Sequence, residues 1–350
     1  MIRRRTITSY VWNSVSGNKM VILSNCIRNF FRKFELIGNS TQGENPAPDN
    51  PQEIKSAGKW NERTQKYEVD VKVTGKNLLD IKDITSETPQ WLEIPCLIKN
   101  NIYIKSNNST VLVENNQARL IVCFKDGTSR AMYDDSMTNG LPFKANSENP
   151  ITTIKVRGTH IKSGVYSGIQ VEYGNEPTPY EPYTEQSVQI ALDEPLRGIG
   201  EYKDTITKDG VVRKILEAPL VKYLKPVING NVGNRYVFAE MPNANINYDR
   251  ERCMSNVGFT NSTEKKKYIP HPYQLNFLIR VADDDTIEMV KEKIKDIIVA
   301  YTAKEPITEP LPESVQAQLS ALHSENGTTH VFVVSGEVEC GINIEYKYKS

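Results

Sequence analysis

The chain has four histidines, His160, His271, His323 and His330. A zinc site or a histidine-based acid–base pair needs imidazoles at turn or helix spacing from other ligands. No H-E-x-x-H or H-x-H pattern occurs, and His271 stands between Pro270 and Pro272, a stiff setting poorly suited to a proton shuttle. G-x-S-x-G, G-x-x-x-x-G-K-[ST] and G-x-G-x-x-G are all absent, so nucleophile-elbow, P-loop and dinucleotide chemistry lack their glycine scaffolds. The sequence therefore points to no catalytic residue, no metal centre and no cofactor. Five cysteines, Cys26, Cys96, Cys123, Cys253 and Cys340, are spread without a C-x-x-C spacing and read as free, mostly buried thiols.

Carboxylates are numerous but scattered. Asp283 to Asp285 suit a helix start, where backbone N–H groups favour negative charge. Asp126, Asp134 and Asp135 read as solvated turn residues, with calcium ligation by loop oxygens as the alternative. Seventeen tyrosines outnumber nine phenylalanines and three tryptophans. Flat rings with a polar handle suit sugar stacking and interfaces as well as cores. Trp91, Tyr103, Tyr133 and Tyr166 fall where they could line a glycan groove, with core packing as the alternative. At the other end of the chain, Phe30, Phe31 and Phe34 interleave with Arg28, Arg32 and Lys33. That mixture suits docking on an acidic protein surface.

Charge supports this division. Lys plus Arg and Asp plus Glu are 43 each, for a net charge of zero. Residues 1–38 hold seven basic side chains against Glu35 alone, a net of +6, so the remainder carries −6. Global neutrality argues against nucleic acid, which leaves a basic footprint. Mean hydropathy is −0.49, and no apolar run approaches the ~20 residues of a spanning helix, so no membrane role is expected. Arg3 to Arg5 are followed by polar sequence rather than by an apolar stretch, which disfavours a signal peptide. The N-x-S/T triplets at Asn39, Asn108, Asn261 and Asn326 are then chance composition.

Period-two runs supply the elements that must position these residues. Val69, Val71 and Val73, then Leu120, Val122 and Phe124, Ile154 and Val156, and Ile169, Val171 and Tyr173 alternate with polar neighbours. This is the mark of antiparallel strands with one face on a core. The fold class is mainly β: an antiparallel, jelly-roll-like β-sandwich with a smaller α+β C-terminal region. The expected divisions are an attachment segment 1–42, a proline-rich connector 43–66, the sandwich 67–183, a β-rich region 184–270 and an α+β module 271–350. Pro46, Pro48 and Pro51 should hold the connector extended and outside any sheet. Within the last two regions, Lys208-Asp209-Gly210 predicts a hairpin. Asp285 is a candidate cap with Glu288 as its capping-box partner, opening a helix whose stripe runs through Ile287, Val290, Ile294, Ile297, Ile298 and Tyr301. A second helix is predicted over 312–323, and strands over 331–334 and 342–348.

Several motifs, taken in order, carry a resemblance. They are Gly38-x-Ser40-x-Gln42, the stretch Pro46-x-Pro48-x-Asn50-Pro51 to Ile54, Ser56 and Gly58, and Gly75-Lys76-Asn77-Leu78. They continue with Ile169-Gln170-x-Glu172-x-Gly174, Thr178 and Tyr180-Glu181-Pro182-Tyr183, then Leu196-Arg197-Gly198-Ile199-Gly200, Asp209-Gly210-Val211 and Pro310-Leu311-Pro312-Glu313. Over about residues 20–348 the chain resembles tail and baseplate structural proteins of phages and prophages of Gram-positive bacteria. Only about 35 residues precede the shared head here, where relatives often carry a longer attachment region. The resemblance implies a carbohydrate-binding-module-like sandwich and a non-enzymatic virion protein made in the bacterial host cytoplasm. It also implies homo-oligomers (trimer or hexamer), tail-protein partners and contact with host cell-wall polysaccharide. A purely architectural scaffold and a cell-wall polysaccharide depolymerase are the alternatives.

Overall fold

The computed structural model describes residues 18–113, 116–246, 249–260 and 268–349, with the backbone of 2–7. The fold is mainly β, as the alternation predicts. Its frame is a twelve-stranded antiparallel sheet. The strand order is Glu185–Leu192, Lys66–Thr74, Gly327–Val334, Asn18–Cys26, Gly341–Lys349, Lys33–Ile37, Thr205–Ile206, Gly210–Pro219, Ile298–Pro310 and Cys253–Ser255. Ile2–Ile7 pairs with Gly341–Lys349, and Lys59–Asn61 pairs with Lys66–Thr74. Strands from both ends of the chain thus share one platform. Its core is their inward set, including Val21, Leu23, Phe34, Leu36, Val71 and Ile344.

Two modules are inserted between neighbouring strands of this platform. Lys66–Thr74 and Glu185–Leu192 pair from Thr74↔Glu185 to Tyr67↔Leu192, and the chain between them forms the sandwich. One sheet holds Ser129–Tyr133, Ala118–Phe124, Ile151–Val156 and Leu92–Ile98; the facing sheet holds Leu141–Phe143, Ile102–Ser109 and Tyr166–Tyr173. Ile102, Ile104, Leu120, Val122, Phe143 and Ile154 meet between them. A short helix α1 (Asp134–Asn139) closes one end. The second insertion lies between Gly210–Pro219 and Ile298–Pro310, which pair from Gly210↔Pro310 to Pro219↔Ile298. It contains the sheet Tyr236–Glu240, Asn276–Arg280, Pro270–Tyr273 and helix α2 (Ile287–Ile294), packed through Val237, Phe277, Ile279, Val290 and Ile294. Helix α3 (Glu313–Ala321) precedes the platform strand Gly327–Val334.

The division is therefore nested rather than linear. Asn18–Cys26 and Lys33–Ile37 are interior platform strands, and Asn29–Phe30 between them pairs with His323–Ser324, so this segment is not a separable arm. Lys66–Thr74 lies in the platform, not the sandwich. The proline stretch does not run out as an extended linker. It turns back through an Ala47↔Asn50 bridge to close a hairpin of Ser40–Gln42 with Ile54–Ser56. The predicted helix through Tyr301 stops at Ile294, because Ile298–Pro310 pairs with the open edge of Gly210–Pro219. Thr286, not Asp285, caps α2, accepting from the Met289 N–H at 3.3 Å. The hairpin at 208–210 joins Thr205–Ile206 to Gly210–Pro219 as expected.

Several of the residues that carry the resemblance sit at joints of this architecture. At the sandwich's root, Asn77 Nδ2 donates to Ile169 O at 3.1 Å and Asn77 Oδ1 accepts from Val171 N at 3.0 Å. Buried Gln170 donates to Glu172 at 2.8 Å and accepts from Glu181 N at 2.7 Å, while Glu172 accepts from Thr178 N at 2.9 Å. Lys76 pairs with Glu181 at 3.0 Å. At the second joint, Gly38 and Gly198 touch backbone to backbone. A Cβ on Gly38 would lie 2.4 Å from Arg197 O, so only glycine permits the approach. Ser40 Oγ accepts from Gly198 N at 3.1 Å, and Gln42 donates to Ser255 O at 2.7 Å.

Candidate functional site

The four aromatic residues singled out for glycan contact do not form one groove. Tyr103 is 8% exposed and Tyr166 is 2% exposed. Tyr166 belongs to the core between the two sandwich sheets, whereas Tyr103 is out of phase with the core-facing Ile102 and Ile104 and is covered by the Asn139–Gly140 end of α1, so neither offers a ring to a ligand. Tyr103 instead donates to Asn139 O at 3.0 Å. Trp91 and Tyr133 remain accessible, beside opposite edge strands of the four-stranded sheet. Three strand spacings, about 14 Å, separate those edges. Trp91 has φ of +58° and carries the Arg157 guanidinium 4.5 Å from its ring centroid. A bulky residue in the left-handed region is strained, and the stacked cation covers one face of its ring.

Tyr166 belongs to a buried polar cluster. Its hydroxyl donates to Asp134 Oδ1 at 2.6 Å, beside the fully buried Arg119, whose Nε donates to the same oxygen at 2.5 Å. Gln117 N donates to Asp134 Oδ2 at 2.7 Å. Asp134 is thus neither a solvated turn residue nor a calcium ligand, since a guanidinium fills the position a cation would take. Asp126 closes its own turn, accepting from Thr128 N at 2.9 Å and Asn149 Nδ2 at 2.8 Å. Asp285 accepts from Tyr268 at 2.6 Å, Lys293 at 2.5 Å and Ala282 N at 2.7 Å. These aspartates stabilise the fold and are not poised as acids. Among the described residues, no group of three or more His, Cys, Asp or Glu side chains could hold a metal ion, and no helix is long and apolar enough to cross a membrane.

A cleft of about 710 Å³ opens where the sandwich meets the platform. Met20 and Phe332 come from the platform; Leu79, Cys96, Leu97 and Tyr173 come from the sandwich. Asp70, Lys72, Gln189, Lys99 and Asn146 also line it. Gln189 donates to Asp70 at 3.0 Å, and Lys72 pairs with Glu185 at 2.7 Å. Burial pushes Glu185 up, but Lys72, Ser187 and Tyr183 outweigh it and hold the carboxyl at about 2. Such a space suits an apolar body with a few polar contacts. Sequence reading missed it because its walls come from distant segments. The one local signal is that Met20 and Phe332 sit out of phase with the core-facing Val21 and Val333.

Behind Phe332 lies His330, 2% exposed, with Tyr173 5.3 Å away edge-on and Nδ1 2.7 Å from Gly75 O. Burial depresses its pKa to about 4, against a partial upward pull from Gly75. A histidine neutral in the fold but protonated in the unfolded chain destabilises as pH falls below the unfolded value of about 6.5. The loss grows down to the folded value and then levels, reaching about 3 kcal/mol. His330→Asn, which keeps a donor for Gly75, should remove this component. Denaturant unfolding at pH 7 and pH 4 should show the parent losing about 3 kcal/mol more than the variant; equal losses would contradict the assignment.

The expected docking set also divides. Phe34 is 7% exposed in the platform core, because the strand Lys33–Ile37 turns Phe34 and Leu36 inward. Phe31 stacks on it, with centroids 6.1 Å apart, and is half-buried. Only Arg28, Arg32 and Phe30, the last 60% exposed, remain outward. The side chains of Arg3 to Arg5 and the triplet at Asn261 lie outside the described residues. All five thiols are free; burial pushes Cys26 to about 11 and Cys96 to about 12, the latter with help from Cys123. Compared with known proteins, the chain matches no family model, and no curated protein or solved structure matches it significantly.

Proposed function

We propose that the chain is a non-enzymatic component of a phage virion, a tail-tip, baseplate or fibre protein, that docks on tail neighbours and contributes to recognition of host-surface glycan. One observation carries this reading: motif residues that resemble tail and baseplate proteins, scattered from Gly38 to Gly198, meet at joints of the platform. A protein that projects modules from a shared frame needs such joints. Arg28, Phe30 and Arg32 form the outward docking surface. Assembly as a trimer or hexamer gives weak single sites high avidity. The test is retention of the full chain, displayed in multiple copies on beads, by purified Gram-positive cell walls. Retention is expected, and its absence at high display density overturns the glycan half of the reading.

A purely architectural role is the second reading. The burial of Tyr103 and Tyr166 favours it, since the sandwich then presents no continuous aromatic groove. A scaffold would show no wall retention while still assembling into tails.

A further inference from the structure

The second inserted module carries a ring surface that its own core does not use. In the sheet Tyr236–Glu240, Asn276–Arg280, Pro270–Tyr273, the residues Val237, Ala239, Phe277 and Ile279 face inward and are fully buried. Tyr236, Phe238, Leu278 and Tyr273 have the opposite phase, are partly exposed, and stand outside that core. The Phe238 ring lies 5.3 Å from Tyr236 and 5.6 Å from Tyr273, so three rings form one continuous strip. Cross-strand pairing sets Arg280 opposite Tyr236, His271 opposite Leu278 and Asn276 opposite Tyr273. Polar donors and acceptors therefore flank the strip on neighbouring strands.

We infer that this face is a carbohydrate-binding surface for a neutral saccharide chain, with Phe238 at its centre. The inference rests on the glycan reading above and moves the contact from the sandwich to this module. The rings give flat apolar area at low conformational cost. The flanking amide, imidazole and guanidinium can bond hydroxyl groups. Charge selects the ligand class. Lys225 and Glu240 beside the strip neutralise each other at 2.5 Å, whereas a single-stranded nucleic acid requires a positive groove along its backbone as well as stacking rings.

The test uses the full chain with Phe238→Leu, which keeps apolar volume and removes the ring, and Phe238→Tyr, which keeps the ring. Both side chains lie outside the core, and unchanged thermal unfolding checks the fold. Binding to purified Gram-positive cell walls should fall at least tenfold for Phe238→Leu and stay within about twofold for Phe238→Tyr. Wall binding that Phe238→Leu leaves intact overturns this site alone and leaves the glycan reading standing. No wall binding by the parent chain overturns both. Binding of poly(U) RNA that Phe238→Leu abolishes would make the face a nucleic-acid surface and overturn the assignment.

Discussion

Asp134→Ala is expected to destabilise the chain by about 3–5 kcal/mol at pH 7, the cost of leaving a buried charge without its partner. Arg119 has no exposed surface, and Asp134 holds it through Nε at 2.5 Å and Nη2 at 3.3 Å. The same carboxylate binds Tyr166 and the Gln117 amide, so alanine leaves four donors unmatched. Burial raises the Asp134 pKa, but Arg119, Tyr166 and Gln117 outweigh it and hold the group below the usual carboxylate range. Its stabilisation is therefore present above the unfolded value of about 4 and is lost as pH falls through the folded value. Replacing both partners, as Arg119→Met with Asp134→Leu, should recover the part of the loss that comes from the stranded guanidinium, while the Tyr166 hydroxyl and the Gln117 amide stay unmatched. Denaturant unfolding of the single and double variants decides this. A single variant losing under about 1 kcal/mol would show that water reaches the guanidinium.

Asp204→Ala should cost a comparable about 3–5 kcal/mol through a different set of bonds. Asp204 is fully buried at the joint of platform and hairpin. Oδ1 accepts from Lys214 N at 2.7 Å and Ile215 N at 3.0 Å; Oδ2 accepts from Arg197 N at 3.0 Å. Arg213, 2% exposed, reaches the same carboxylate at 3.5 Å while donating to Pro195 O and Glu194 O. One side chain thus fixes the loop at 194–198 to the strand Gly210–Pro219. Asp204→Asn keeps one acceptor oxygen and should lose less, about 2 kcal/mol. If alanine and asparagine cost the same, the charge rather than the retained acceptor for the backbone amides carries the joint.

Alternation made the strands legible, because a half-buried strand must place its apolar residues every second position. Partner choice was not legible. Val69, Val71 and Val73 read equally well in a sandwich or a platform, and only the pairing of Lys66–Thr74 with Gly327–Val334 decides between them. The stripe Val290, Ile294, Ile297, Ile298, Tyr301 satisfied helical spacing, but its second half is also a β-branched run. Tertiary pairing took that half into a strand. Aromatic type did not reveal exposure: Tyr103 and Trp91 carry the same promise in sequence, and the end of α1 at Asn139 and Gly140 covers only the first. The phase of Tyr236 and Phe238 against Val237 and Ala239 was readable. What it lacked was any sign that the outer face stood clear of the module's core.

In the proposed virion the platform docks inward and its inserted modules project outward. Cryo-electron microscopy of phage particles that carry this proposed tail protein tests that arrangement. Three or six copies are expected at the distal tail, with Arg28, Phe30 and Arg32 against a neighbouring tail protein and the sheet bearing Phe238 facing solvent. Virions that lack the chain, or that bury Phe238 against a neighbour while Phe30 faces solvent, would contradict it.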